Sequence, residues 1–273
     1  MFKKKLISTL GVAVGLALSG ASSAATITNS DGTFAFTGFD WSSGGTAFTT
    51  GFVPVAGDTF QLTYFALATN IVNGGVNINP LSLPHMDVIA DGVANTPPAG
   101  GTTYEYTIVA VVNETVVSCV GTLCTFNVTG GSFNIYYNGT DANALAGQLG
   151  TGFDDGISII AGSINGGTQS TFDQANGSNS TTLQGTVTTT NNTYVNPTLG
   201  GTTATTTLQI GNAITTWVNP GGFDGTAFTA NNIVFQADAN QSFTPAPEPG
   251  SLALLGAAFL GFFGLGRRRN KLA

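Results

Sequence analysis

Between Leu6 and Gly266 the chain holds one histidine, two cysteines and neither lysine nor arginine. Few side chains there are able to move protons, attack a substrate or clamp an anion. His85 sits in Leu81-Ser82-Leu83-Pro84-His85-Met86-Asp87. Serines and aspartates elsewhere leave a Ser-His-Asp arrangement arithmetically open, but no Gly-X-Ser-X-Gly elbow accompanies it. A loop histidine without a chemical role is the simpler reading. Asp154 and Asp155, followed by Gly156, have the ligand types for Ca²⁺ through carboxylates and loop carbonyls, and Asp40, Asp58 and Asp224 sit in similar turns. None completes an Asp-X-Asp-X-Asp-Gly loop, and aspartates in turns commonly bond their own backbone. Glu105 and Glu114 are the only glutamates before Glu248. A glycosidase would need two acids facing each other across a cleft. Trp41 and Trp217, with Tyr136 and Tyr137, stand beside polar neighbours and have the rings to stack on sugars, although aromatic residues in alternating strands usually pack a core. The expectation is a protein that is not an enzyme and carries no cofactor.

The charge pattern narrows the field further. The seven basic residues are Lys3, Lys4, Lys5, Arg267, Arg268, Arg269 and Lys271, all at the ends of the 273-residue chain. Of the 14 acids one is Glu248, which leaves 13 in the middle with no Lys or Arg to pair them. Phosphate and nucleic-acid binding need cationic side chains to displace counterions, so nucleic acid is excluded as a partner. Cys119 and Cys124 bracket Val120-Gly121-Thr122-Leu123 within an apolar, β-branched stretch. A bridge there would clamp a tight hairpin; the alternative is two unpaired strand cysteines. The spacing is too wide for a CxxC redox motif, and zinc would need more ligands.

Both ends read as export signals. Residues 1–25 have a cationic start, an apolar run and the small-residue end Ser19-Gly20-Ala21-Ser22-Ser23-Ala24-Ala25, the order of a cleavable signal peptide. Residues 245–273 begin with Pro245-Ala246-Pro247-Glu248-Pro249-Gly250, continue through 251–266 without a charge, and close on the basic cluster. As a helix, 251–266 is about 24 Å long against a hydrocarbon core of about 30 Å, and flanking basic residues snorkel to cover part of the difference. Arg267, Arg268 and Arg269 hold the C-terminus on the cytoplasmic side. The order Pro247-Glu248-Pro249, apolar helix, arginine cluster resembles the PEP-CTERM sorting domain of Gram-negative bacteria that make extracellular polysaccharide. The resemblance implies the general secretion machinery and a membrane exosortase as partners. It also implies transient inner-membrane anchoring, cleavage near the Pro-Glu-Pro segment, and release to the cell surface or extracellular matrix.

The elements between these signals, residues 26–244, read as strands. Phe60, Leu62 and Tyr64 alternate with Thr59, Gln61 and Thr63, and similar patterns recur around Tyr106, Val128, Ile135, Ile159, Leu208 and Val234, bounded by Gly or Asn turns. Asp141 to Gly147 is the one helix-like stretch, and residues 162–207, poorest in apolar side chains, read as a flexible or edge region. Many short strands predict an all-β body of the β-sandwich or jelly-roll kind.

Gly38-Phe39-Asp40-Trp41, the run from Gly57 to Tyr64 and the blocks from Phe133 to Gly156 resemble the flocculation-associated PEP-CTERM proteins. That resemblance implies an exported β-rich protein that promotes cell aggregation and biofilm with extracellular polysaccharide, with no catalytic residues to carry over. A secreted carbohydrate-binding module is the alternative, and a secreted hydrolase comes third. Mass spectrometry of the exported form is expected to find a chain that starts near Ala25 or Thr26 and ends near Pro247; retention of Arg267 to Arg269 would contradict the processing.

Overall fold

Period-two alternation makes strands here because β-branched and aromatic residues on one face of each segment have only a pleated partner to pack against. The computed structural model of the protein describes residues 25–93, 102–140, 142–144, 149–173, 175, 177–211, 217 and 219–244. The expected signal peptide, except Ala25, and the whole sorting tail with its apolar segment 251–266 lie outside the described residues. Among the described residues no helix is long and apolar enough to cross a membrane.

Sixteen strands are described: β1 (Ala25–Asn29), β2 (Gly32–Phe36), β3 (Gly38–Trp41), β4 (Gly45–Thr50), β5 (Thr59–Asn73), β6 (Val76–Asn77), β7 (Glu105–Val120), β8 (Leu123–Asn138), β9 (Ile157–Ile164), β10 (Gln169–Asp173), β11 (Asn179–Thr190), β12 (Val195–Asn196), β13 (Thr203–Ile210), β14 (Gly222–Phe223), β15 (Thr226–Ala227) and β16 (Val234–Thr244). Strands β3 and β4 lie end to end against both β5 and β16, and β9 and β10 lie end to end along β8. Each of these two pairs therefore fills one place in the wall. The ring then runs β3/β4, β5, β7, β8, β9/β10, β11, β13, β16 and back to β3/β4, an eight-stranded closed barrel with every neighbour antiparallel. Ring order equals chain order, so the barrel is an up-and-down meander.

This corrects the sandwich or jelly-roll expectation. Each strand pairs with its neighbour in sequence, so no crossover carries the chain to a second sheet. Strands of 15 and 16 residues (β5, β7, β8) are long enough to twist and coil until the last meets the first. Local devices assist the bend. The β7–β8 ladder shifts register between Asn113 and Glu114. Near this shift Gly131 has φ +154°, and a Cβ there would lie 2.1 Å from the Val111 carbonyl oxygen. The stretch 162–207, read from sequence as an edge or flexible region, instead supplies wall from the end of β9 through β11 and into β13. Of the helix-like stretch, Ala142 to Ala144 are irregular and the rest lies outside the described residues.

Alternate side chains fill the interior, as the bore of eight strands allows. Phe39, Trp41, Leu62, Tyr64, Ile108, Phe133, Ile135, Leu183 and Leu208 are all buried there. A second, smaller cluster forms around Phe65, with Phe153 at 4.8 Å and Phe223 at 4.8 Å between ring centroids. The two ends of the barrel differ. One end, the plugged pole, is covered by the sheet β12-β1-β2, whose Ile27 and Phe36 are buried with the interior; the Phe36 ring stands 5.0 Å from Phe39 and 5.6 Å from Phe243. The opposite end, the hairpin pole, carries the β4–β5, β7–β8 and β10–β11 turns. Cys119 and Cys124 are disulfide-bonded at the tip of β7–β8. Ala25 and Thr244 both belong to the plugged pole.

The backbone approach at Gly131 leads to a stability prediction. Gly131→Ala is expected to cost roughly 3 kcal/mol in a denaturant melt, because the new methyl meets a wall carbonyl. Gly200→Ala, where the added atom finds only the Thr198 hydroxyl at 3.5 Å, is expected to be near neutral.

Candidate functional site

The one histidine of the chain fastens the plug. Asp31 lies in the turn between β1 and β2, and its Oδ1 faces His85 Nδ1 while its Oδ2 accepts from the His85 backbone N–H at 3.2 Å and from the Tyr104 hydroxyl at 2.9 Å. The Asp31 side chain is 2% exposed. Asn29 donates from Nδ2 to the Tyr106 hydroxyl at 3.2 Å. Behind these bonds Tyr104, Tyr106, Tyr137 and Tyr194, four of the six tyrosines, stack with ring centroids 4.9 to 5.7 Å apart. Burial raises the hydroxyl pKa of Tyr104, Tyr106 and Tyr137 above the ordinary tyrosine value. His85 therefore meets a carboxylate that also holds the Tyr104 phenol, and the three tie a β-hairpin to the barrel. Sequence reasoning named His85 but missed Asp31 and Tyr104, which lie 54 and 73 residues from their partners.

Two glutamates are buried, and the structure separates them. Glu105 points outward from the start of β7, 1% exposed, and accepts from the backbone N–H of Asn143 at 3.1 Å and of Ala144 at 3.2 Å. These bonds hold the 142–144 loop in an irregular path, which is why the helix reading fails there. Burial is the main cause that pushes the Glu105 carboxyl up to about 8, with Asp87 and Asp155 adding repulsion against the two N–H donors. Glu114 points inward near the hairpin pole, 6% exposed, and accepts from Ser170 Oγ at 3.2 Å. Burial pushes it up to about 7. The two glutamates face opposite sides of the β7 wall, so they do not make the facing pair that glycoside hydrolysis needs.

The remaining sequence candidates fall as follows. Trp41, considered for sugar stacking, is 1% exposed inside the barrel, its ring 4.9 Å from Phe39. It presents no face to a sugar. Trp217 is half-buried outside the wall and donates from Nε1 to Thr46 Oγ1 at 3.3 Å. Tyr137 belongs to the tyrosine stack, and Tyr136 is half-buried. Asp155 accepts from Asn143 Nδ2 at 2.9 Å. Burial, then Asp224 and Asp155, raises the Asp154 pKa. Among the described residues no three or more His, Cys, Asp or Glu gather to hold a metal. Pro247, Glu248, Pro249, Arg267, Arg268 and Arg269 lie outside the described residues.

A β-barrel body free of cationic residues, continued by a proline-broken apolar segment and a basic cluster, defines a protein addressed out of the cell by its C-terminal end. Residues 245–269 match the family described as the PEP-CTERM protein-sorting motif. The motif marks an exosortase-processed, exported surface protein that is transiently anchored in the membrane before processing. No curated protein and no solved structure matches the chain.

The buried glutamates set a pH dependence. Their folded-state pKa values, about 8 and about 7, lie above the ordinary 4.5, so the fold favours the protonated forms. That stabilisation is complete below pH 4.5 and is lost as the pH rises through 7 and 8. Thermal melts are expected to show Tm falling on the order of 5–10 °C from pH 5 to pH 8. Glu105→Gln with Glu114→Gln is expected to flatten that slope.

Proposed function

We propose that the protein is a non-enzymatic surface or matrix protein that promotes cell aggregation together with extracellular polysaccharide, delivered by an exosortase. The observation that carries this reading is the sorting motif at 245–269, joined to a body with no Lys or Arg. The barrel interior is consistent with it: among the described residues two cavities between core side chains are about 30 and about 20 Å³, each with room for a water. The bonds between His85, Asp31 and Tyr104 add a structural fastening. A protein of this kind acts by being present in the matrix, so its loss removes cohesion and not polymer.

Deleting the gene is expected to reduce floc formation several-fold while secreted polysaccharide stays at its wild-type amount. Unchanged aggregation in the deletion strain would overturn the reading, and restored aggregation on adding back the exported protein would uphold it.

A further inference from the structure

The wall closes, but the β7–β8 hairpin outruns it. On its β8 side the hairpin keeps a neighbour, since β10 pairs with Leu123 to Asn127. On its β7 side β5 ends at Thr59, opposite Thr115. The last bonds there join Val116 to the residues just before β5: its N–H donates to the Asp58 carbonyl at 2.8 Å, and the Gly57 N–H donates to its carbonyl at 2.8 Å. Beyond Val116 no described residue pairs with this edge. Val120 and Leu123 flank a two-residue turn and form a hydrogen-bonded pair, so Cys119 opposite Cys124 is the non-hydrogen-bonded pair that follows. Their Cα atoms stand 4.1 Å apart, the close spacing of such a pair. The N–H and C=O of Cys119 therefore point away from β8, along an unpaired strand edge.

Strand edges of this kind pair with other strands unless charge, proline or a covering segment protects them. Residues 115–128 hold no charged side chain and no proline. Val117, Val120 and Leu123 are exposed on the hairpin, Val120 at 76%, and the β4–β5 turn bonded to its base adds exposed Val53 and Val55. Asp58 in that turn is engaged locally, its Oδ2 accepting from the Val53 N–H at 2.9 Å. A register shift between Val116 and Ser118 confines the regular edge to Ser118–Val120, so any contact made there is short.

We propose that this edge pairs with the same edge of a second copy of the chain, antiparallel about a two-fold axis. Cys119 of each copy exchanges N–H···O=C bonds with Cys119 of the other, and the exposed valines pack around them. Two features select a second copy. A two-fold contact sets the edge against itself, so backbone donors and acceptors match with no further sequence requirement. A body with 13 acids and no Lys or Arg repels its own copies, and the hairpin tip is an uncharged patch where two of them approach without setting acids face to face. Antiparallel pairing sends the two barrels in opposite directions, which leaves the plugged poles, with Ala25 and Thr244, at the far ends. That geometry suits a contact between bodies held on two different cells. The interface is small, with an expected Kd on the order of 10–100 µM, and many copies on facing surfaces add avidity. The pairing stands on the edge geometry; its part in aggregation rests on the function proposed above.

Sedimentation equilibrium of the exported protein, over a concentration series that brackets this Kd, tests the pairing. A monomer–dimer equilibrium is expected. Exchange of the Cys119 amide proton, followed by NMR, is expected to slow as the concentration rises, which edge pairing requires and side-chain contact alone does not. Val120→Glu, which sets two like charges across the axis, is expected to weaken the dimer at least tenfold. Val76→Glu, at a similarly exposed valine on β6 near the plugged pole, is expected to leave it within twofold. Should Val120→Glu fail to fold, Val117→Glu takes its place with the same expected loss. A monomer at every concentration, equal dimerisation by Val120→Glu and the wild type, or a Cys119 amide that exchanges at one rate throughout would overturn the pairing. Dimerisation in solution, with aggregation of the deletion strain fully restored by adding the Val120→Glu protein, would leave the pairing standing and remove its role in flocs.

Discussion

Strand β16 hydrogen-bonds to β13 on one side and to β3 and β4 on the other, and this closure is the constraint on which the body depends. An open sheet of these strands would present unpaired N–H and C=O groups along two edges, and proteins commonly protect such edges with lysine. This body has none. Joining the last strand to the first removes the edges of the wall by geometry where charge is lacking. Closure also creates the enclosed bore that buries Trp41, Tyr64 and Phe133, and it gives the molecule two distinct poles.

The poles divide the labour. At the plugged pole the β1–β2 hairpin is held by Asp31 against His85 and Tyr104, and the tyrosine stack behind it supplies the apolar contact. At the hairpin pole short turns and a disulfide leave the chain compact, and a carboxyl is left inside an aromatic wall. Removing cations from an exported chain has a consequence inside the fold as well as outside it. Glu105 and Glu114 have no salt bridge to compensate burial, so their stability depends on backbone N–H donors, a serine hydroxyl and retained protons.

Much of this architecture was legible in advance at the level of the single strand. Thr59 to Tyr64, Phe126 to Val128, Phe133 to Tyr137 and Leu208 to Ile210 alternate as strands should, and they form β5, β8 and β13. The sheet arrangement was not legible, because alternation says which face of a strand is buried but not whether the opposing face belongs to a second sheet or to the far side of the same one. Trp41 shows the same limit at one residue: a tryptophan between polar neighbours reads equally as sugar platform or core, and only the inward turn of β3 decides. The thin apolar content of 162–207 pointed to an edge, yet Leu183, Val187 and Ala204 are enough to fill their share of a bore that the larger rings opposite already occupy.

By itself the amino-acid sequence determined the destination and the electrostatics. Charge placement, a proline-broken junction and an apolar run are local, linear properties, read by membranes and processing enzymes from the extended chain. It also determined that the body would be all-β, since period two is a property of consecutive residues. Tertiary structure alone decided that the strands close into a barrel, that Asp31 meets His85 and Tyr104, and that Glu105 and Glu114 lie on opposite sides of one wall. Those outcomes depend on pairing register and on contacts between residues dozens of positions apart, where hydrogen-bond geometry and packing, not local composition, choose the partner.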